Sequence, residues 1–191
     1  GVENNLAGEA LSANAIKTVV TDLMQDSAQS LLQLMGGKGY RLDHVAGRSV
    51  VDSRPFQIFE GSNDVLYQQI SESVLKSMRK MKEKNLYAFL SEHNLTHRAA
   101  DYFSDTLNFK VDLSLSQRKL VELGRILGRV ITMELVIELG DRGFRSDLIS
   151  NCLRSFKQDV DGRLTAYRNG DPASVIEEYA DGSGWLDYVQ A

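Results

Sequence analysis

Two prolines in 191 residues constrain this chain more than any other feature. Pro55 and Pro172 leave almost every backbone N–H free to donate along a helix, and proline is the residue that breaks a helix most strongly. Apolar residues recur three and four apart, the period of a helix with one packed face, and no stretch alternates with the period of a strand. The sequence predicts an all-α, up-down bundle of five to seven helices.

Its boundaries follow from local chemistry. A first helix is expected over about 8–35, with Ile16, Val20, Leu23, Leu31 and Leu34 on one apolar face and Lys17, Asp22 and Asp26 solvated elsewhere. A short helix over 44–52 stops at Ser53-Arg54-Pro55, because the residue before proline avoids helical angles. The next, over about 63–82, has the stripe Leu66, Ile70, Val74, Met78 and Met81. Lys76, Arg79, Lys80, Lys82 and Lys84 gather near its end, where a helix dipole favours cations. Two shorter helices, 85–92 and 96–107, follow, with Thr96 as N-cap of the second. The most apolar helix spans 116–139 and stops at Gly140, and Gly124 and Gly128 read as a device for close helix approach. After a loop at 141–145, Ser146 or Asp147 caps a helix to about 168, with Ile149, Cys152, Phe156, Val160 and Leu164 inward. Asn169-Gly170 ends it, and Asp171-Pro172 starts a last helix with an acidic cap and a first-turn proline. Gly182-Ser183-Gly184 then leads to Trp185 and Tyr188, candidates to dock on the bundle or on a neighbour.

A net charge of −4 gives no reason to expect nucleic acid or an anionic membrane surface. The single cysteine, Cys152, excludes an internal disulfide, and no activating neighbour marks it as a nucleophile. No signal peptide or 18-residue apolar run is visible. The nearest approach, 120–139, is interrupted by Glu122, Arg125, Arg129, Glu134 and Glu138. A soluble, reducing compartment such as the cytoplasm is expected, without secretion. His93 and His97 stand four apart, but a break lies between them and no third ligand is evident, so no metal is expected.

Two short pieces within 33–64 carry the chemistry. In Gln33-Leu34-Met35-Gly36-Gly37-Lys38-Gly39-Tyr40, a helix runs into glycines. Glycine past a helix end supplies the left-handed conformation that other residues resist. A Gly-Gly-x-Gly turn also bares backbone N–H groups that can receive an anion such as a pyrophosphate; the plain alternative is a helix stop. In Phe59-Glu60-Gly61-Ser62-Asn63-Asp64, a carboxylate follows apolar residues and precedes a helix that Ser62 can cap. A carboxylate desolvated among aromatics can have its pKa raised and serve as a proton abstractor; the plain alternative is a surface glutamate in a loop.

Together, Gln-x-x-Gly-Gly-x-Gly-Tyr followed 27 positions after its glutamine by Glu-Gly-Ser-Asn-Asp resembles the C-terminal domain of acyl-CoA dehydrogenases. The likeness runs back to Lys17 and forward through Val65 and Leu66, about a third of the chain. It implies a flavoenzyme that removes two hydrogens from adjacent carbons of an acyl-CoA thioester, giving a trans-2-enoyl-CoA. By resemblance, Glu60 is the catalytic base, and Phe59 and Gly61 lie against substrate. Gln33, Leu34, Met35, Gly36 and Gly37 meet the FAD of a partner subunit, and Ser62, Asn63 and Asp64 lie near FAD after the base. Asp64 is acidic where some relatives carry an amide.

The resemblance assigns 1–85 to the dehydrogenase C-terminal domain and leaves 86–191 as a helical extension packed in the same bundle. It also implies an N-terminal helical domain and a middle β-domain that this sequence does not contain. With Gly1 in place of methionine, the expectation is a piece of a longer polypeptide, inactive alone. The parent would be a homo-oligomer, dimerising through the bundle, as the apolar 116–139 helix and the inter-subunit flavin position suggest, with electron-transfer flavoprotein as the acceptor. An acyl-CoA oxidase fragment and a non-catalytic helical dimerisation module are the alternatives.

Overall fold

The computed structural model describes residues 2–41 and 43–169, and the side chains from residue 9 onward. The expected stop at Gly170, the helix from Asp171-Pro172, the glycine-rich segment at 182–184, Trp185 and Tyr188 lie outside the described residues. Within them there is no strand, only one isolated bridge, Asn85 to Lys110. Among the described residues, no helix is long and apolar enough to cross a membrane.

The long helix α1, Val2–Met35, begins earlier than expected and ends at Gly36, whose φ of +56° is the left-handed turn that glycine permits. A 3₁₀ turn, Gly36–Lys38, follows. His44, unremarkable in the sequence, is the N-cap of α2, Val45–Ser53, its Nδ1 accepting from the Ala46 N–H at 3.2 Å. Pro55 does end α2, but the chain tightens into a 3₁₀ turn, Arg54–Gln57, instead of leaving helical space.

This segment then runs back along α1. Ser53 Oγ donates to Gln25 Oε1 at 2.8 Å, Gln57 Nε2 to Asp22 Oδ1 at 2.8 Å, and Lys17 Nζ to the Gly61 carbonyl at 2.8 Å. Helix α3, Asn63–Met81, starts where this return path ends. Leu66, Ile70, Val74 and Met78 of its stripe are buried, while Met81, past the core, is exposed.

Two further helices, α4 at Leu86–Glu92 and α5 at His97–Ala100, lead to α6, Gln117–Asp141, and α7, Ser146–Asn169. Asn85 caps α4, accepting from Ala88 N–H at 3.0 Å. Thr96 does not cap α5: its hydroxyl donates to the Leu90 carbonyl. The buried Glu134 of α6 does so from across the bundle, accepting from Arg98 and Ala99 N–H at 2.9 Å each and pairing with the Arg98 guanidinium. With its cap supplied by tertiary structure, the helix is short, and a 3₁₀ turn, Asp101–Phe103, replaces the expected continuation to 107.

Helix α6 is the axis of the core. It packs on α3, α7 and α1, and Leu123, Ile126, Leu127 and Val130 are completely buried. Most of the apolar surface of this helix is thus taken by its own neighbours in the chain, while Leu139 near its end stays exposed. Gly124 and Gly128 work as the sequence suggested. A Cβ on Gly124 would lie 1.9 Å from the Tyr67 carbonyl oxygen, and one on Gly128 would lie 3.2 Å from the Tyr67 ring. The helix runs one residue past Gly140, to Asp141. On α7, Phe156, Val160 and Leu164 are buried as expected, whereas Ile149 and Cys152 are half-buried.

The buried face of α1 is the reverse of the one its large apolar residues mark. Leu11, Ala15, Thr18, Val19 and Ala28 are buried, while Ile16, Val20, Leu23, Leu31 and Leu34 are exposed. Small residues let α1 lie close to α3 and α6, and the larger ones remain uncovered. Asp26 is exposed as expected, but Lys17 and Asp22 are half-buried and hydrogen-bonded, because they lie on the side that meets the returning chain.

Candidate active site

Residues 59–64 form a turn with an uncommon backbone. Glu60 has φ +58° and Gly61 φ +100°, two consecutive left-handed residues. Glycine adopts this without penalty, whereas an L-residue resists it by roughly 1–2 kcal/mol. The turn persists because side chains from α1 hold its far end. Lys17 Nζ donates both to the Gly61 carbonyl and to Asn63 Oδ1, at 2.8 Å each. Asn63, buried, donates through its amide to the Thr18 carbonyl at 3.2 Å, Thr21 Oγ1 at 2.9 Å and Asp22 Oδ1 at 2.6 Å. Burial holds the Lys17 ammonium below its ordinary range, with the Glu60 and Asp22 carboxylates acting in the opposite sense.

Asp22 links this turn to the core. Its second oxygen accepts from Tyr67 Oη at 2.7 Å, and Tyr67 is completely buried beneath α6. Arg129, 1% exposed, places one nitrogen 3.4 Å from Tyr67 Oη and pairs with Asp159 of α7. Asp159 also accepts from Arg163 at 2.9 Å. A chain of polar contacts thus runs from the Glu60 turn through α1 and α3 to α7. Sequence reasoning placed Lys17 and Asp22 in solvent and did not single out Tyr67. The signal that could have found them is their place beside the small-residue face of α1 and opposite Gly124.

Burial, followed by the nearby Asp22 carboxylate, pushes the Tyr67 hydroxyl up to about 12 from an ordinary value of 10.0. Between those values the native chain keeps a proton that the unfolded chain has lost, so stability falls as pH rises from 10 toward 12. Two units correspond to roughly 2–3 kcal/mol. Tyr67→Phe is expected to flatten this alkaline slope, measured by urea denaturation at stepped pH, and to lose about 1 kcal/mol at neutral pH through the missing hydrogen bond.

The enclosure expected around Glu60 is absent among the described residues. Glu60 is exposed, and Phe56, Ile58 and Phe59 face outward with it. The apolar residues beside the carboxylate are there as the sequence suggested, but this chain leaves them open. Val50, Val51, Pro55, Ile58 and Phe59, with Gln25, Gln29 and Arg54, line a shallow groove of about 610 Å³. Ser62 stands at the N-cap position of α3 in extended backbone, but its side chain makes no capping bond. Asp64 is exposed and pairs with Arg125 of α6 at 2.9 Å.

The glycine turn lies elsewhere. Lys17 and Gly36 are 19 positions apart on α1, or about 28 Å at 1.5 Å per residue. Gln33, Leu34, Met35, Gly36 and Gly37 are all exposed, and side chains added at Gly36 or Gly37 would meet nothing within 4 Å. Gly39 is packed against Leu32, and a Cβ on Gly47 of α2 would lie 2.6 Å from the Gly39 carbonyl oxygen, so α2 holds the turn's far side. At Gly36 and Gly37 no side chain stands between the backbone and its surroundings. One chain therefore offers two separate surfaces, the Glu60 turn midway along α1 and the glycine turn at its end.

No group of three or more His, Cys, Asp or Glu placed to hold a metal ion occurs among the described residues. His93 tilts against Phe89 with ring centroids 5.4 Å apart, and burial pushes its imidazole down. Burial pushes the Cys152 thiol up, which disfavours a reactive thiolate.

Residues 3–75 match the family described as acyl-CoA dehydrogenase, C-terminal domain. The chain is also similar to the mitochondrial isobutyryl-CoA dehydrogenase of Bos taurus, 42% identical over 60 residues, which are 31% of this chain and 14% of that protein. No solved structure matches.

Proposed function

We propose that this chain, whose residues 3–75 match the acyl-CoA dehydrogenase C-terminal domain, contributes the base-bearing turn of a flavin-dependent acyl-CoA dehydrogenase. The observation that carries this reading is the backbone at Glu60. A glutamate held at φ +58° before a glycine at φ +100° is costly, and such outliers gather at functional sites. Here the outlier falls on the residue that the family resemblance makes the base.

In this reading the Glu60 carboxylate removes the proton from the carbon beside the thioester carbonyl. Bound FAD would accept the hydride from the next carbon. Gly61, with no side chain, lets the thioester approach the backbone, and Phe59 borders its acyl part. The groove beside Phe59 offers apolar surface to the acyl chain and to whatever closes over it. Closure would expel water and strengthen the carboxylate's pull on a weakly acidic proton. The bare glycines at 36 and 37, with Gln33, Leu34 and Met35, would hold the phosphate-bearing part of an FAD. That surface lies about 28 Å along the helix from Lys17, and the family resemblance gives its FAD to a partner subunit. Ser62 and the Asp64–Arg125 pair would face the subunit's own FAD, with Asn63 supporting the turn from within. The exposed stripe Ile16, Val20, Leu23, Leu31 and Leu34 is the surface this assembly would cover.

The test is anaerobic mixing of the longer, flavin-loaded polypeptide with a series of acyl-CoA thioesters while the flavin absorbance is followed. Bleaching by an acyl-CoA, with electrons passed to an electron-transfer flavoprotein, is the expected result. Rapid peroxide release in air would identify an oxidase instead. Failure to bleach with any chain length would leave a helical assembly module.

A further inference from the structure

Lys17 lies 43 positions before Glu60 in sequence, and no part of the proposed chemistry uses it. Its ammonium nonetheless makes the contacts that fix where the glutamate's backbone goes. The Gly61 carbonyl follows directly on Glu60, and Lys17 Nζ is 2.8 Å from its oxygen. The same nitrogen is 2.8 Å from Asn63 Oδ1, so it ties the carbonyl to the first residue of α3. The other end of the Asn63 side chain is bound to Thr18, Thr21 and Asp22 on α1.

The turn therefore has one firm edge. Glu60, Gly61 and Ser62 are exposed, and Ser62 makes no capping bond. Removing Lys17 would leave the Gly61 carbonyl without its α1 partner and Asn63 Oδ1 with only Thr21 Oγ1, at 3.4 Å. Little would then oppose relaxation of Glu60 to the negative φ that an L-residue prefers. A flip of that backbone re-aims the carboxylate without unfolding any helix. The ionisable groups around Lys17 are Asp22 on α1, Glu60 on the turn, and Tyr67 on α3, which reaches the site through Asp22.

We propose that Lys17 is a positioning residue for the base: its ammonium clamps the Gly61 carbonyl to Asn63 and so holds Glu60 in the left-handed backbone that presents the carboxylate to substrate. This deepens the dehydrogenase reading and rests on it for its catalytic consequence, but not for its structural one.

The experiment therefore has two arms. In the first, ¹⁵N relaxation is measured on the full chain, wild type against Lys17→Met. The order parameters of Glu60 and Gly61 are expected to fall from about 0.85 to below about 0.6, while Tyr67 and α6 stay rigid. In the second, flavin-loaded longer polypeptide carrying Lys17→Met is compared with wild type and with Glu60→Gln. The rate of flavin reduction by acyl-CoA is expected to drop about 100-fold, the loss expected for a misplacement near 1 Å, with acyl-CoA affinity changed less than about threefold. If Lys17→Met does not fold, Lys17→Gln, whose neutral amide sits on a shorter stem and cannot span both acceptors, is read the same way. A turn that stays rigid, or a reduction rate that stays at wild type while Glu60→Gln is dead, overturns the proposal and leaves the dehydrogenase reading intact. Normal reduction by Glu60→Gln overturns that reading and with it the catalytic role of Lys17, and the relaxation arm then decides the clamp alone.

Discussion

Glu60→Gln in the flavin-loaded longer polypeptide is expected to keep its flavin spectrum and its melting temperature and to lose reduction by acyl-CoA. The amide fills the same space but cannot accept a proton from the carbon beside the thioester. Positioned acid–base groups contribute roughly 10²–10⁴-fold, so the stopped-flow bleaching rate should fall by at least that much. Glu60 is exposed, and an uncharged replacement at such a site should shift stability by no more than about 0.5 kcal/mol. Lost activity would then be a loss of chemistry. Bleaching at the wild-type rate would remove Glu60 from the mechanism.

The largest structural effect is expected from one methyl group. Gly124→Ala would put a Cβ 1.9 Å from the Tyr67 carbonyl oxygen and 2.5 Å from its carbonyl carbon. These are backbone atoms of α3, so no rotamer change can relieve the contact. The two helices must separate, and Tyr67 is the residue through which Asp22 and Arg129 meet. Overpacking usually costs 1–3 kcal/mol, and with backbone as the obstacle the loss should reach about 3 kcal/mol or more. Gly162→Ala on α7 is the control. An alanine there would meet nothing within 4 Å and gains helix propensity, so it should stabilise by roughly 0.5–1 kcal/mol. Urea denaturation of the two variants should move in opposite directions. Equal behaviour would mean that α3 and α6 are not in contact as described.

Much of this molecule was legible in the order of its residues. Helical periodicity and the scarcity of proline set the all-α class, and glycine and asparagine marked several helix ends. The Gly36 turn, the α3 stripe, the small residues for close approach at Gly124 and the family resemblance over 17–66 were all readable from residue types and their spacing. Helix α5 was misjudged in length and in cap, because its N–H groups bond to Glu134, more than 30 residues away.

The residues of the candidate turn could be named from the sequence, but their arrangement could not. Glu60 and its glycine could be picked out, yet their left-handed backbone and the clamp by Lys17 arise only when the return path lies against α1. The large apolar residues of α1 misled for a related reason. Periodicity reports that a face is apolar, but it cannot say which partner covers it, and this bundle chose the face with the smaller side chains. Residue types thus determined which helices form and which carboxylate stands before the glycine. Only the packing of α1 against α3 and α6 decided which face was buried, which polar groups were enlisted there, and that the glycine turn and the glutamate turn lie far apart on one helix.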